Sequence, residues 1–155
     1  MSPTGTAARE TLRPSRSPRP ALNRGLFAVL GAIVAVALVR GVAGVLVGSL
    51  DAYPPLAWPA LVGATIVTGT AATLVYVVLQ QVVEAPERWF LAIAVVVLAL
   101  SFVPLLTVAP TLPGATAGLV VTLGVMHVAV AVVVAATLTY RAAAERDDVA
   151  VEESV

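Results

Sequence analysis

Two side chains in this sequence, Arg40 and His127, combine strong polarity with a long apolar setting. The chemistry open to them is hydrogen bonding within a membrane, proton handling, or lining a transport pathway. Ionisable groups at bilayer depth cost about 2.5–3.5 kcal/mol on insertion scales, so each must face protein or water. With a rise of about 1.5 Å per residue, Arg40 falls about 6 Å outward of the middle of its apolar stretch and His127 about 3 Å outward of the middle of its own. They share a layer. Antiparallel threading brings Thr65, Thr68 and Ser101 to similar depth, and the candidate site is a polar layer of Arg40, Thr68, Ser101 and His127.

Pro104 adds an acceptor to that layer. It has no N–H to give the carbonyl of Leu100, so the third helix is predicted to kink there, and Arg40, with five donor N–H groups, is a donor for the freed carbonyl. The competing reading has Arg40 snorkelling outward, its stem covering apolar surface while the guanidinium reaches headgroups or Asp51. For His127 the plainer reading is a neutral imidazole bonded to one neighbouring helix. Thr65, Thr68, Thr70 and Thr73 can each bond a preceding carbonyl of their own helix.

Other chemistries lack their residues. No pair of intramembrane carboxylates exists for acid–base work, no His–Glu–His cluster for a metal, and no serine shares a span with the single histidine. The chain has no cysteine, hence no disulfide and no thiolate. The glycines lie in apolar segments without an adjoining lysine, which excludes a phosphate loop. The one basic stretch is short and proline-broken, so nucleic acid is not an expected partner. The expectation is no enzyme, no catalytic residue, no cofactor and no metal.

The elements that must position Arg40 and His127 are four apolar stretches, Gly25–Leu46, Ala60–Gln81, Trp89–Thr107 and Ala117–Tyr140, each long enough to cross a bilayer. Apolar residues make up 59 % of the chain and charged residues 12 %, a balance that a water-soluble surface tolerates poorly. The expected fold is all-α, an antiparallel up-down bundle of four transmembrane helices joined by short loops. Residues 1–21, with Pro3, Pro14, Pro18 and Pro20, read as a disordered basic arm, 22–140 as the membrane domain, and 141–155 as an acidic cytoplasmic tail. Gly41, Gly44 and Gly48, and Gly114 with Gly118, mark small-residue spacings where the first and fourth helices can approach closely.

Arginines set the orientation. Arg9, Arg13, Arg16, Arg19 and Arg24 precede the first span, Arg88 lies between the second and third, and Arg141 and Arg146 follow the fourth, whereas the other two connections hold Asp51 and no base. Both termini are therefore expected in the cytoplasm of a multi-pass protein of the cell membrane. Tyr53 and Trp58 mark the outer interface, and Trp89, Phe90 and Tyr140 the inner one. A cleaved signal at Leu26–Val39 is the rival for the first span, disfavoured because apolar character resumes from Gly41 to Leu50.

The stretch Arg88-Trp89-Phe90, the run Leu98-Ala99-Leu100-Ser101-Phe102-Val103-Pro104, then Pro113-Gly114-Ala115-Thr116 and Met126-His127-Val128-Ala129, resembles an uncharacterised family of small four-span membrane proteins of haloarchaea and actinobacteria, a domain of unknown function. The likeness covers about residues 22–140. Its most specific pieces are Ser101, Pro104, Met126 and His127, and Leu105 departs from the polar residue or proline that family members often place there. The resemblance implies a four-helix membrane fold and no known activity. The function classes left open are a non-catalytic packing or partner subunit, a small transporter or proton-linked carrier using Arg40 and His127, and an envelope or lipid-sensing protein acting through its basic arm. Partners are the lipid bilayer and either a second copy or another membrane protein.

Overall fold

In the computed structural model, residues 19–48 and 50–152 are described, with side chains from 22 to 140 apart from 49. Residues 1–18 of the expected basic arm and 153–155 of the expected tail lie outside that part. Four helices follow in order, α1 (Arg19–Val47), α2 (Trp58–Val82), α3 (Pro86–Thr107) and α4 (Ala117–Glu152), with short 3₁₀ turns at Pro54–Leu56 and Ala109–Thr111 in the two connections of one face. No strand occurs among the described residues. All four helices are long and apolar enough to cross a membrane. The fold is the expected four-helix bundle.

Helix boundaries follow the backbone chemistry of their end residues. Pro59 and Pro86 sit in the first turns of α2 and α3, where an absent N–H costs nothing. Gly48, with φ of 91°, lies just past the end of α1, in a left-handed conformation that a residue with a β-carbon adopts only under strain. Pro104 lies inside α3, three residues before its last. Helix α4 has 36 residues, about 54 Å at 1.5 Å each, so it outruns a hydrocarbon core of about 30 Å. It continues as helix twelve residues beyond Tyr140, into the segment expected as an acidic tail.

Each helix turns one narrow stripe inward. On α1 the stripe is Ala28, Ala32, Val36, Arg40 and Ala43, on α2 it is Leu61, Thr65, Gly69, Thr73 and Tyr76, and on α4 it includes Leu119, Thr122, Met126, Val134 and Leu138. Steps of three and four residues keep these positions on one side of a helix. Small side chains on α1 let it pack extensively along α4 and α2, with Gly31 meeting Val133 near one end and Gly118 meeting Val47 near the other. That pairing fixes α1 and α4 as antiparallel. The closest approach to α2 is at Gly25, against Thr73, and at Gly69, where a β-carbon would stand 2.6 Å from Val29 Cγ2.

Two apolar clusters fill the interior, one near each face. The first holds Val36, Leu50, Tyr53, Leu56, Leu105 and Met126; the second holds Ala28, Ala32, Tyr76, Phe90, Val134 and Leu138. We call the face carrying both chain ends the termini face and the other the distal face. The distal connections form a tight cap: Tyr53, fully buried, donates to the carbonyl of Ala109 at 2.8 Å, tying one connection to the other. Gly114 presses against the same cap, with φ of 79° and its β-carbon direction only 2.8 Å from the carbonyl oxygen of Ala52.

Helix α3 is set apart from this core. Only 6 % of its most apolar stretch is buried, against 28 % in each of the other three helices. It is held at its ends, by Phe90 against Tyr76 in an edge-to-face pair 5.3 Å apart, and by Leu105 against α4 near the distal cap. Its middle, from Leu91 to Leu100, is almost wholly exposed to the surroundings of the bundle.

Candidate functional site

Arg40 is buried, on the same stripe of α1 as Ala32, Val36 and Ala43. Its guanidinium turns toward the distal cap rather than toward α3. One terminal nitrogen donates to the carbonyl of Leu56 and the other to Asp51 Oδ1 at 2.5 Å, while the Trp58 ring lies 5.0 Å from the guanidinium carbon. A cation over an indole face gains further attraction from the ring quadrupole. The connection after α1 folds back far enough to bring an acid, a carbonyl and an aromatic face within reach of the one arginine buried near that face.

The polar layer of Arg40, Thr68, Ser101 and His127 does not assemble as expected. Arg40 is engaged with Leu56 and Asp51, so it does not serve the carbonyl of Leu100. Thr68 lies beside the buried stripe of α2 and is exposed on the outside of the bundle. The physical reason is that depth along the membrane fixes only one coordinate; the rotation of each helix, set by Ala28, Ala32 and Gly69 on the tight interfaces, decides which residues meet. Arg40 takes a course between the two sequence readings: outward to Asp51, yet enclosed by protein.

Ser101 and His127 are brought together. Both line a groove of about 180 Å³ between α3 and α4 beneath the distal cap, with Pro55, Pro104, Leu105, Leu112 and Leu123 among its apolar walls. Ser101 Oγ donates to the carbonyl of Leu98 at 2.7 Å, and His127 Nδ1 lies 2.8 Å from the carbonyl of Leu123. A carbonyl only accepts, so Nδ1 carries the proton, and in the neutral ring Nε2 presents a lone pair. The histidine thus bonds its own helix and not a neighbouring one.

Other hydroxyls within the spans behave alike. Thr65, Thr73, Thr122, Thr137 and Thr139 each donate to the carbonyl four residues earlier. Hydrogen bonds between elements therefore concentrate at the two faces. At the termini face Tyr76 donates to Glu87 Oε1 at 3.4 Å, with Gln80 and the buried Arg24 alongside. Sequence reasoning read Arg24 only as a topology signal and missed this cluster. The available signal was Tyr76, a polar-tipped aromatic near the end of a span, facing a short connection that carries Glu87.

A model of a family of unknown function, DUF6069, matches residues 16–144. The chain belongs to that family. Membership of DUF6069 covers every span and the groove, and leaves out most of the arm and the end of α4. Among curated proteins and solved structures, nothing matches the chain. For this DUF6069 protein the candidate functional features are therefore those built by its own residues: the capped Arg40, the Ser101–His127 groove and the uncovered α3. Among the described residues, no group of three or more His, Asp or Glu side chains is placed to hold a metal ion.

Burial pushes the Tyr53 phenol above its ordinary value, because the charged form would lose hydration. A group whose folded value is raised contributes stability that is complete below its unfolded value, near 10, and is lost as pH climbs through the folded value. Stability in detergent should hold up to about pH 10 and then fall. Tyr53→Phe is expected to cost about 1 kcal/mol by leaving the Ala109 carbonyl with only its long 3.4 Å bond from the Leu112 N–H, and to show a shallower alkaline decline. Thermal unfolding across that range checks both, and an equally steep decline in the variant would count against Tyr53.

Proposed function

We propose that this protein is a non-catalytic subunit of the cell membrane, working beside another membrane-embedded chain, with both termini in the cytoplasm. The observation that carries this reading is α3. It is almost unburied in its own bundle although it is pinned at both ends, which leaves a long apolar face available for lateral packing. The self-satisfied hydroxyls support the same reading, since a relay or pathway needs polar groups that reach from helix to helix. Orientation rests on the arginines, which in sequence precede the first span, separate the second from the third or follow the fourth, except for the capped Arg40.

The chain has no cysteine, so single cysteines can be placed freely. Nitroxide labels at Ile93, Val96 and Leu100 on α3 should show lower oxygen accessibility in native-membrane discs than labels at Leu38, Leu74 and Val121. Equal accessibility at all six would mean that lipid alone covers α3 and would remove the subunit reading. Topology reporters fused after Ala52, Glu87 and Pro113 should report outside, inside and outside; an inside signal at Pro113 would overturn the orientation.

A carrier is the second reading, favoured by the groove that joins Ser101 to His127. It requires that proteoliposomes conduct protons or a solute and that His127→Ala abolish the flux. The subunit reading expects no flux from the purified protein.

A further inference from the structure

The Ser101–His127 groove has a chemical polarity that its size and composition turn into a ligand specification. A groove of about 180 Å³ has room for several water molecules. Each ordered water needs two to four polar partners, and the only strongly polar side chains in the lining are Ser101 and His127. Water fits the space and not the walls. An aliphatic chain fits the walls, formed by leucines, prolines, Val108 and Ala109.

The two polar groups agree on what such a chain should carry. Ser101 commits its proton to the carbonyl of Leu98, leaving oxygen lone pairs, and His127 commits Nδ1–H to the carbonyl of Leu123, leaving the Nε2 lone pair of the neutral ring. Both are acceptors. No side chain in the lining has a donor to spare, so an ester, ketone or ether oxygen placed there would be desolvated without compensation. A hydroxyl would be satisfied.

We propose that this groove binds a membrane-dissolved aliphatic alcohol, its chain against Pro104, Leu105 and Leu123 and its hydroxyl donating to His127 Nε2. The open side of the groove provides lateral access from the bilayer, so the ligand need not cross the distal cap. An ordinary lipid acyl chain is the competing occupant, and it makes no hydrogen bond.

The single histidine makes the test direct. Full-length protein, labelled with nitrogen-15 histidine and purified through a histidine-free tag, yields signals from His127 alone when placed in phosphatidylcholine nanodiscs. Octanol, octyl methyl ether and octane are titrated in turn, with the ring held neutral as judged from its own shifts. Octanol should move the Nε2 resonance saturably while Nδ1 stays in place, and the ether should require a concentration at least about fivefold higher or have no effect. Ser101→Ala should leave the octanol response in place, because the one hydroxyl proton goes to Nε2, and Leu112→Trp, which fills the groove, should remove it with the Nδ1 signal unchanged. Equal responses to octanol and octane would show chain occupancy without a hydrogen bond and overturn the proposal. A response centred on Nδ1, or no saturable response to octanol, would overturn it as well.

Discussion

Asp51→Ala will destabilise the protein more than Arg40→Leu, although Asp51 is the exposed partner of the pair. The Arg40 side chain is 8 % exposed and that of Asp51 77 %. Removing the acid leaves a cation enclosed by protein at the membrane boundary, held only by the Leu56 carbonyl and the Trp58 face. Breaking a fully buried pair from one side costs about 3–5 kcal/mol, and the solvent around Asp51 reduces this to about 2 kcal/mol. Arg40→Leu removes the charge instead. It strands the Leu56 carbonyl, a loss of about 1–3 kcal/mol, but relieves the desolvation of an enclosed cation, which offsets much of that loss and leaves a smaller net change than Asp51→Ala. The double variant should match Arg40→Leu alone. Denaturant titration of the four proteins in one detergent measures the cycle. If Arg40→Leu proves the more damaging change, the pair is a structural staple and the expense assigned to burying Arg40 is wrong.

The spans were legible because membrane helices announce themselves by length. Gly25–Leu46 and Ala117–Tyr140 differ little from the observed Leu22–Val47 and Ala117–Tyr140, since apolar residues must cover the hydrocarbon core whatever their order. That α4 continues past the span as a solvated helix end was legible, but its extent to Glu152 was not. Outside the bilayer no hydrophobic run marks where a helix stops, and the charges there suit a helix and a tail equally.

The site was legible by residue type and, in the outward reading of Arg40, by its Asp51 partner, but not as a layer of four residues. Arg40 stood out as the cation inside a span and Asp51 as the acid of the distal connections, and these two are joined. What failed was the step from shared depth to contact. Ser101 and His127 do share a groove because α3 and α4 are neighbours that turn those residues the same way, while Thr68 at matching depth faces outward. Helix rotation depends on which small residues form the interface, and spacing alone named right and wrong ones together: Gly118 does meet Val47 of α1. Gly41 and Gly44 fit the small-residue pattern, yet a β-carbon on Gly41 would meet nothing within 4 Å and one on Gly44 only Leu50 at 4.0 Å.

Gly25→Ala and Gly41→Ala, the same change on the same helix, should therefore shift stability in opposite directions. At Gly25 the new methyl would clash with Thr73 Cγ2 and stand 2.5 Å from its Oγ1. Thr73 cannot easily turn away, because its hydroxyl bonds the Gly69 carbonyl at 2.8 Å and its β-branch restricts rotation. Nor can α1 retreat without opening the neighbouring contact of Val29 with Gly69. Overpacking of this kind costs about 1–3 kcal/mol, against which the better helix propensity of alanine returns about 1 kcal/mol. At Gly41, with open space, only the propensity gain remains, so the variant should be more stable by up to about 1 kcal/mol. Thr73→Ala in the Gly25→Ala background should recover part of the loss, because it removes both γ atoms and leaves only the β-carbon, 2.9 Å away. Unfolding midpoints of the three variants against the parent test the assignment. Equal effects at the two glycines, or no recovery in the double variant, would mean that α1 and α2 do not approach each other at Gly25.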